Sequence, residues 1–280
     1  MLAVGLALGT ALCYGLANYL GPLQARRLPL GAVLVGSAGT ALVVSTVLLI
    51  VVRDAPPGGA ALLLGLAAGC ANLAGLVLYF SAGALGSLSI AAPIGATGAV
   101  IPVAVGLVEG ERPGPLQLVG IPLAILGVAL AARPSGAAAE RRPRATLSVV
   151  LAVGAAAAFG AFLALFAKAS DSGVYWALLD SRVAIVGLLL LGLVSSRQPI
   201  VLPPRQLPGV ALAGVLLVLG TTLFAEASRR GLLSVVSVVA TLFPLVTVTL
   251  ALVVLKERLG RSQAVGVVAA LLGVALIAGG

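Results

Sequence analysis

Apolar positions run along the chain in long unbroken stretches that short polar segments separate. Runs such as 41–44 and 186–191 show no alternation of apolar and polar residues, so they are not strands of a membrane-spanning β-barrel. A helix needs about 20 apolar residues to cross a bilayer, and ten stretches approach that length. They are 3–22, 31–52, 59–80, 87–108, 115–132, 146–167, 174–195, 209–228, 232–255 and 262–279.

The composition places these stretches in lipid. Of 280 residues, 61% are hydrophobic and 9% are charged, and the mean hydropathy is +1.22. The 17 basic and 8 acidic side chains are too few to coat a soluble globule. The net charge of +9 lies in the short connections, which indicates membrane orientation rather than nucleic-acid binding. The sequence has no histidine, which excludes His-based catalysis and His metal sites. Cys13 and Cys70 fall in apolar stretches and are expected to be free thiols.

The second half of the chain repeats the first. A shift of 146 positions lays 111–130 on 257–276 with twelve identities in twenty positions, among them Glu, Arg and Gln. Shifts of 144 to 145 extend the match, for example Tyr14 on Phe159. We therefore divide the chain into a first repeat at 1–132, a basic linker at 133–145 and a second repeat at 146–280.

Each repeat holds five spans, and five is odd, so the second repeat enters the membrane upside down relative to the first. The predicted fold is an all-α polytopic membrane protein, with ten transmembrane helices as two inverted five-helix repeats around a central cavity. A pseudo-two-fold axis in the membrane plane lets the halves exchange conformations, so that a central site opens to each side in turn. This arrangement is typical of a transporter, although duplication can also leave a repeat without that role.

Three elements carry a resemblance to a known family. They are the Tyr14-Gly15 and Phe159-Gly160 pairs, the segment 231–244, and the Glu-Arg element that closes spans four and nine, followed by Gln-x-Val-Gly and Leu-Gly-Val-Ala-Leu. With them the chain resembles the drug/metabolite transporter superfamily, in particular its ten-span members with two EamA domains. The resemblance implies a small-solute carrier with a cavity lined by helices one to four and six to nine. The resemblance does not identify the transported solute, because different relatives resemble exporters of amino acids, of other metabolites or of drugs.

Polar residues at depth are the candidates for the cavity wall, because each needs a partner or a wet space. The predicted cavity residues are Thr10, Tyr14, Asn18, Asn72, Tyr79, Thr97, Trp176, Arg182, Glu226, Ser237 and Thr241. The alternative is structural: Ser and Thr return hydrogen bonds to their own helix, and Asn and Tyr join helices. Small residues at helical spacing, such as Gly127 and Gly273, are predicted to form packing seams. Kinks are predicted inside spans four and nine at Pro93, Pro102 and Pro244.

Arg182 is the most informative of these residues. It lies in span seven, about 10 Å deep at 1.5 Å per residue after Tyr175, where a charge costs roughly 2.5–3.5 kcal/mol on insertion scales. Its predicted counter-ion is Glu226 at the end of span eight, or Asp180, which points to a different face. The hypothesis is that Arg182 borders the translocation path and meets a carboxylate or phosphate of the cargo. The alternative is a structural ion pair.

Residues near the span ends have two interpretations. Trp176 is expected in the interfacial aromatic belt, with the cavity wall as its alternative. Glu111 and Glu257, each beside an Arg, are expected to form local ion pairs or helix caps rather than to carry protons. The first span lacks a basic n-region and carries polar residues, so we expect it to remain in the mature protein.

Charge counting and the family resemblance disagree on orientation. The odd-numbered connections hold eleven basic residues and the even-numbered ones five, which favours termini outside the cytoplasm. The resembled family keeps its termini in the cytoplasm. The orientation therefore stays open.

These features favour a secondary transporter, and within that class an exporter of small polar or amphipathic metabolites such as amino acids. We expect a multi-pass protein of the cell (inner) membrane whose partners are a small-molecule solute and the lipid bilayer. No nucleic acid, metal or cofactor is expected, and the sequence is compatible with a monomer. The alternatives are a passive channel or scaffold and an intramembrane enzyme. An enzyme is not expected, because it needs paired carboxylates, a metal cluster or an activated nucleophile, and only Asp180 lies at depth.

Overall fold

The computed structural model describes residues 1–25, 28–85, 95, 97–131, 145–196, 202–243, 245–246 and 261–279. Within these ranges the chain is helical apart from short connections, with ten α-helices and no β-strand. The helices are α1 (Leu2–Ala25), α2 (Leu30–Val52), α3 (Gly59–Leu85), α4 (Val100–Val108), α5 (Pro115–Ala131), α6 (Ala145–Asp171), α7 (Val174–Ser196), α8 (Leu207–Ser228), α9 (Leu233–Ala240) and α10 (Arg261–Gly279). They follow the order of the ten predicted spans, so the all-α fold class is confirmed.

Six of these helices, α1 to α3 and α6 to α8, are long and apolar enough to cross a membrane. On α2, Val43, Val47 and Ile50 share one face and are 62%, 52% and 68% exposed. Such a face suits lipid, which solvates large apolar side chains as well as a protein core does. The buried faces carry small residues such as Ala7 and Ala68, which let helices approach closely. The chain is therefore a polytopic membrane protein.

Helices α5 and α10 form an antiparallel pair. A Cβ added to Gly127 would meet the backbone of Ala270, and one added to Gly273 would lie 2.5 Å from the backbone nitrogen of Ala124. Partner numbers fall along α10 as they rise along α5, so the two helices run in opposite directions. Ala124 and Ala270 are 146 positions apart, as are Gly127 and Gly273. The two contacts are thus equivalent in the two repeats, and they form the packing seam that the spacing predicts.

The pairs α1–α8 and α3–α6 are related in the same way. Gly220 of α8 packs against the ring of Tyr14 in α1, and Gly75 of α3 packs against the ring of Phe159 in α6. Tyr14 and Phe159 are 145 positions apart, as are Gly75 and Gly220. Exchanging the two halves therefore turns the Tyr14–Gly220 contact into the Phe159–Gly75 contact, and the reverse. Together with the antiparallel α5–α10 pair, it confirms the inverted repeat.

The first helix of each half crosses the interrupted helix of the other half. A Cβ on Gly15 in α1 would lie 2.9 Å from the carbonyl oxygen of Phe243, which follows α9. In the equivalent place, a Cβ on Gly160 in α6 would meet the carbonyl oxygen of Gly98 and would lie 2.8 Å from the Cβ of Ile101. Only glycine permits such close backbone approach. These crossings bring the two repeats together near the middle of α1 and α6.

Spans four and nine are both interrupted. In span four a 3-10 turn, Thr97–Ala99, precedes α4. Pro102 lies in the first turn of α4, where a backbone N–H has no helical acceptor, so the interruption lies before this proline rather than at it. Helix α9 ends at Ala240, four residues before Pro244, and a proline cannot donate a hydrogen bond to the carbonyl four residues earlier. Pro93 and Pro244 themselves lie outside the described residues.

The densest packing lies toward one end of the bundle. We call it end A, the end where α2, α6 and α8 finish and α3 and α7 begin. The largest fully buried side chains include Phe166, Phe224 and Leu178, which come from the end A portions of α6, α8 and α7. They belong to one apolar cluster that also contains Val236 and Val239 of α9. In the described part of the chain, end A is therefore closed by an apolar plug built from both halves.

Candidate functional site

A buried polar network joins α7, α8 and α1. The Nη2 atom of Arg182 donates a hydrogen bond to the hydroxyl oxygen of Thr221 at 2.7 Å. The Tyr14 hydroxyl lies 3.0 Å from the same oxygen. Thr221 donates its own hydrogen to the carbonyl oxygen of Leu217 at 2.6 Å, so Tyr14 must be the donor of the second bond. Every donor and acceptor position of the Thr221 hydroxyl is therefore used, which fixes Arg182 and Tyr14 relative to each other.

The guanidinium of Arg182 lies deep in the bundle. Residue 182 is eight residues into α7, about 12 Å from its start at end A, and it is 4% exposed. Its Nε atom is buried and has no hydrogen-bond partner among the described residues. Among the residues that the structure describes, the guanidinium therefore bonds the Thr221 hydroxyl and leaves its Nε hydrogen unused.

The predicted counter-ions of Arg182 lie elsewhere. Glu226 forms a salt bridge with Arg230, one turn later on its own helix, at end A. Asp180 packs against Gly65 of α3, on a different face of α7, and its Oδ2 atom is buried without a partner in the described part of the structure. No carboxylate of a described residue pairs with Arg182. The expected ion pair is replaced by the network with Thr221 and Tyr14, because the i,i+4 spacing gives Glu226 a nearer cation.

The network belongs to one half only. The register between the halves follows from two equivalent close contacts, Gly69 on the carbonyl of Ser181 and Gly214 on the carbonyl of Ser37. Ser37 and Ser181 are 144 positions apart, and Gly69 and Gly214 are 145 apart. In this register the counterparts of Arg182, Thr221 and Tyr14 are Ala38, Leu76 and Phe159. Each polar member therefore stands where the other repeat has an apolar residue.

Other predicted cavity residues have local partners. Thr10 donates to the carbonyl of Leu6 at 3.1 Å, and Thr241 donates to the carbonyl of Val238 at 2.9 Å. These bonds stay within one helix or its final turn, as back-bonded hydroxyls do. The hydroxyl of Ser237 is buried and has no hydrogen-bond partner among the residues that the structure describes.

The remaining candidates are spread over the bundle. Asn18 and Thr97 are exposed, and Asn72 is half-buried. Tyr79 places its ring edge-on to Phe159, with centroids 6.2 Å apart. Of the predicted cavity residues, Arg182 and Tyr14 are the two that the hydrogen bonds of the described residues bring together, through Thr221. The segments 87–94 and 247–255, which the sequence assigns to spans four and nine, lie outside the described residues, and the central cavity stays a prediction.

Trp176 lies at end A and links the two halves. Its Nε1 atom donates a hydrogen bond to the carbonyl oxygen of Asp54, in the connection between α2 and α3, at 3.1 Å. The ring is half-buried. This position at a span end, with the polar edge toward a loop, is typical of interfacial aromatic residues.

Glu111 provides a second link between the halves at end A. Its carboxylate accepts hydrogen bonds from the backbone N–H groups of Leu233 and Ser234, and from the Ser234 hydroxyl at 2.6 Å. Leu233 and Ser234 begin α9, whose N-cap residue Leu232 makes no side-chain cap. A carboxylate satisfies these N–H groups and the positive end of the helix dipole. Glu111 is therefore a helix cap, as one of its two interpretations predicts, but it caps a helix of the other repeat.

A small polar cavity of about 120 Å³ lies beside this cap. Lys168 of α6 forms a salt bridge with Glu109 at its edge. Its lining residues are Glu109, Glu111, Ala167, Lys168, Asp171, Ser228 and Leu233, from both repeats. The cavity and the cap mark the place where the two halves meet at end A.

Thr221 is the functional candidate that sequence reasoning did not identify. It stands between Gly220 and Thr222, and the residues three and four positions before and after it are all apolar, so it forms no polar stripe within one turn. One signal was present: Thr221 is polar where the repeat has Leu76. Comparison of the two halves position by position would have found it.

Comparison with known proteins agrees with this architecture. The model of the EamA-like transporter family matches residues 1–133 and 146–279, nearly the whole chain. A solved crystal structure is similar with a TM-score of 0.81 and 14% sequence identity, over 98% of this chain and 95% of that one. At that identity the likeness concerns the fold alone. No curated protein matches the sequence.

Proposed function

The chain belongs to the EamA-like transporter family, and from that premise we propose that it is a secondary carrier that exports small polar metabolites, such as amino acids, by alternating access. The family indicates a membrane transporter of the drug/metabolite type rather than an enzyme. The cell (inner) membrane is the proposed location.

One observation carries the proposal: the two repeats are antiparallel and make equivalent contacts. The α5–α10 and α1–α8 contacts recur with a shift of 145 to 146 positions. Halves related in this way can exchange conformations, which moves the access route from one side of the membrane to the other. The apolar plug and the Glu111 cap close end A, and the cycle that we propose includes a second conformation in which end A opens.

The test is to lock end A and measure solute exchange. Cys13 and Cys70 are first replaced by Ala, and cysteines are then introduced at Glu109 and Lys168, which pair across the two repeats. The full chain is reconstituted in proteoliposomes and loaded with unlabelled amino acid, and uptake of the labelled amino acid by counterflow is followed. A short bifunctional methanethiosulfonate should abolish counterflow, and a reductant should restore it.

A matched control uses cysteines at Glu226 and Arg230, which also pair at end A but lie on one helix. Cross-linking this pair leaves the two repeats free to move, so exchange should continue. Equal exchange before and after cross-linking of the 109–168 pair would refute alternating access through end A. Comparison of right-side-out with inverted membrane vesicles then gives the direction of net transport.

A further inference from the structure

We propose that Arg182, held by Thr221 and Tyr14, binds a single carboxylate group of the transported solute. The inference rests on the proposed carrier function and names the chemistry of its cargo. The juxtaposition that carries it is a buried guanidinium whose Nε has no partner among the described residues, fixed by a saturated hydroxyl in the middle of the bundle.

The positive charge of Arg182 has no compensating carboxylate among the described residues. An arginine at membrane depth normally pairs with an acidic side chain or lines a water-filled space. Arg182 is 4% exposed and pairs with no carboxylate of a described residue. The compensating anion is therefore missing from the described protein, and a solute carboxylate supplies it. In the carrier cycle the site is occupied when the bundle admits solute.

The shape and orientation of the Arg182 guanidinium suit a carboxylate ligand. A guanidinium presents its N–H groups in a rigid planar fork that matches the two oxygens of a carboxylate. Thr221 accepts a hydrogen bond from Nη2 and gives its own hydrogen to Leu217, so it orients the fork without neutralising its charge. The Nε edge stays free among the described residues. The fork is thus held in one orientation with donors left for a ligand.

The second repeat carries an arginine at a position where the first repeat carries an alanine. The position of Arg182 is taken by Ala38 in the first repeat, where it packs with Leu73 and Ile185 in an apolar cluster. The fold is therefore satisfied by a methyl group at this place. A buried arginine adds a desolvation cost that packing does not require. Its presence in one repeat only indicates a ligand that carries one acidic group.

The network lies near the place where helices of the two halves cross. Tyr14 is the thirteenth of 24 residues in α1, close to the middle of the helix. Its neighbour Gly15 contacts the backbone at Phe243, where α1 crosses the end of α9. The network therefore lies next to the crossing of the two halves, which is where an alternating-access carrier holds its solute.

The number of buried basic residues distinguishes a carboxylate ligand from a phosphate ligand. The other described basic residues lie in connections or at helix ends, as Arg53, Lys168, Arg229 and Arg230 do at end A. One buried positive charge balances one negative charge. A carboxylate carries one, whereas a phosphate monoester carries close to two at neutral pH. The geometry therefore points to a monocarboxylate, with amino acids as the metabolites that fit the proposed function.

The experiment compares acids with their amides. Proteoliposomes that contain the full chain are assayed by counterflow with labelled L-leucine and L-phenylalanine, in competition with the unlabelled acids, leucinamide, phenylalaninamide, choline and glycerol 3-phosphate. The acids should compete at concentrations at least tenfold lower than the amides, because the amide cannot form the charged pair. Arg182→Ala, which installs the residue of the other repeat, should raise the half-saturating acid concentration by roughly 10- to 150-fold.

Further variants separate binding from folding. Folded yield by size-exclusion chromatography is measured for each protein. Arg182→Lys keeps the charge but removes the fork, and should retain yield while losing most of the preference for acid over amide. Thr221→Leu and Tyr14→Phe, also counterpart residues, should weaken acid binding less than Arg182→Ala does. Asp180→Asn on the same helix is the matched control and should exchange acids as the parent protein does.

Each outcome has one meaning. Acid-selective exchange that Arg182→Ala removes at normal yield supports the carboxylate site. Equal exchange of acids and amides, or exchange confined to choline or glycerol 3-phosphate, overturns the site and leaves the carrier function standing. Loss of yield in every Arg182 variant, with Thr221→Leu and Tyr14→Phe unchanged in selectivity, overturns it as well, since the arginine would then be structural. No exchange of any of these solutes by the parent protein removes both proposals.

Discussion

Replacing Glu111 with glutamine should open end A. The carboxylate accepts three hydrogen bonds at the start of α9, two from the backbone of Leu233 and Ser234 and one from the Ser234 hydroxyl. Glutamine keeps the shape of the side chain but has one acceptor oxygen and an NH₂ group that faces the N–H donors of α9. The cap is therefore lost in part, while the helices that it connects are unchanged.

The magnitude follows from the bonds that change. A hydrogen bond to a charged group contributes about 1.5–3 kcal/mol, against about 0.5–1.5 kcal/mol for a neutral one. A negative charge at a helix N-terminus contributes a further 0.3–1 kcal/mol, approximately. We take about 2 kcal/mol as the loss for the end A-closed state. This corresponds to a roughly 30-fold larger population that is open at end A.

The assay reads that population directly. In a background without Cys13 and Cys70, Ser237→Cys places a thiol at a fully buried position of α9. Its reaction with a membrane-impermeant maleimide added on the end A side requires opening, so Glu111→Gln should raise the labelling rate by roughly 30-fold. Glu109→Gln is the matched control, because it breaks a half-exposed ion pair at the same end and should raise the rate by less than about fivefold. Equal rates for the two variants would refute the cap as the main closure.

Two further predictions concern the contacts between the repeats, and both are read as apparent melting temperatures of the purified protein. Gly127→Ala should lower the melting temperature by several degrees, because the added Cβ meets the backbone of Ala270. Gly39→Ala is the control and should leave the melting temperature unchanged or raise it, because no described atom lies within 4 Å of the new Cβ. A fall of equal size in both variants would contradict the packing seam. Trp176→Phe keeps an aromatic side chain but removes the hydrogen bond to Asp54 and part of the packed surface of the indole, so a loss of at least about 1 kcal/mol is expected, and an unchanged melting temperature would show that this bond contributes nothing.

The architecture was accessible from sequence because the repeat carries it. Identities between 111–130 and 257–276 predict an inverted pair of units, and the spacing of Gly127 and Gly273 predicts the seam that α5 and α10 form. Apolar run lengths predict the helix order. Each of these signals is local or is duplicated within the chain, so no knowledge of distant contacts is needed.

The polar partners were not accessible in the same way. The Tyr14–Thr221 bond spans 207 positions, and its existence depends on the rotation of α1 and α8 about their axes. Glu226 and Arg230 pair because they are one turn apart, a local preference that outweighs the distant pairing with Arg182. Glu111 has an arginine next to it in sequence, yet the unsatisfied N–H groups of α9 take its carboxylate. Tertiary packing decides the partners of Tyr14 and Glu111, whereas local spacing decides the partner of Glu226.

The one-sided placement of the arginine has an energetic consequence for a device built from two interchangeable parts. If both repeats carried the same chemistry, the inward-facing and outward-facing conformations would be related by the two-fold rotation and would have identical affinities for cargo. A guanidinium on one repeat and a methyl group on the other remove that degeneracy. In the proposed carrier, the two faces of the membrane then meet the same site with different dissociation constants, so that loading and release are distinct steps even without a gradient.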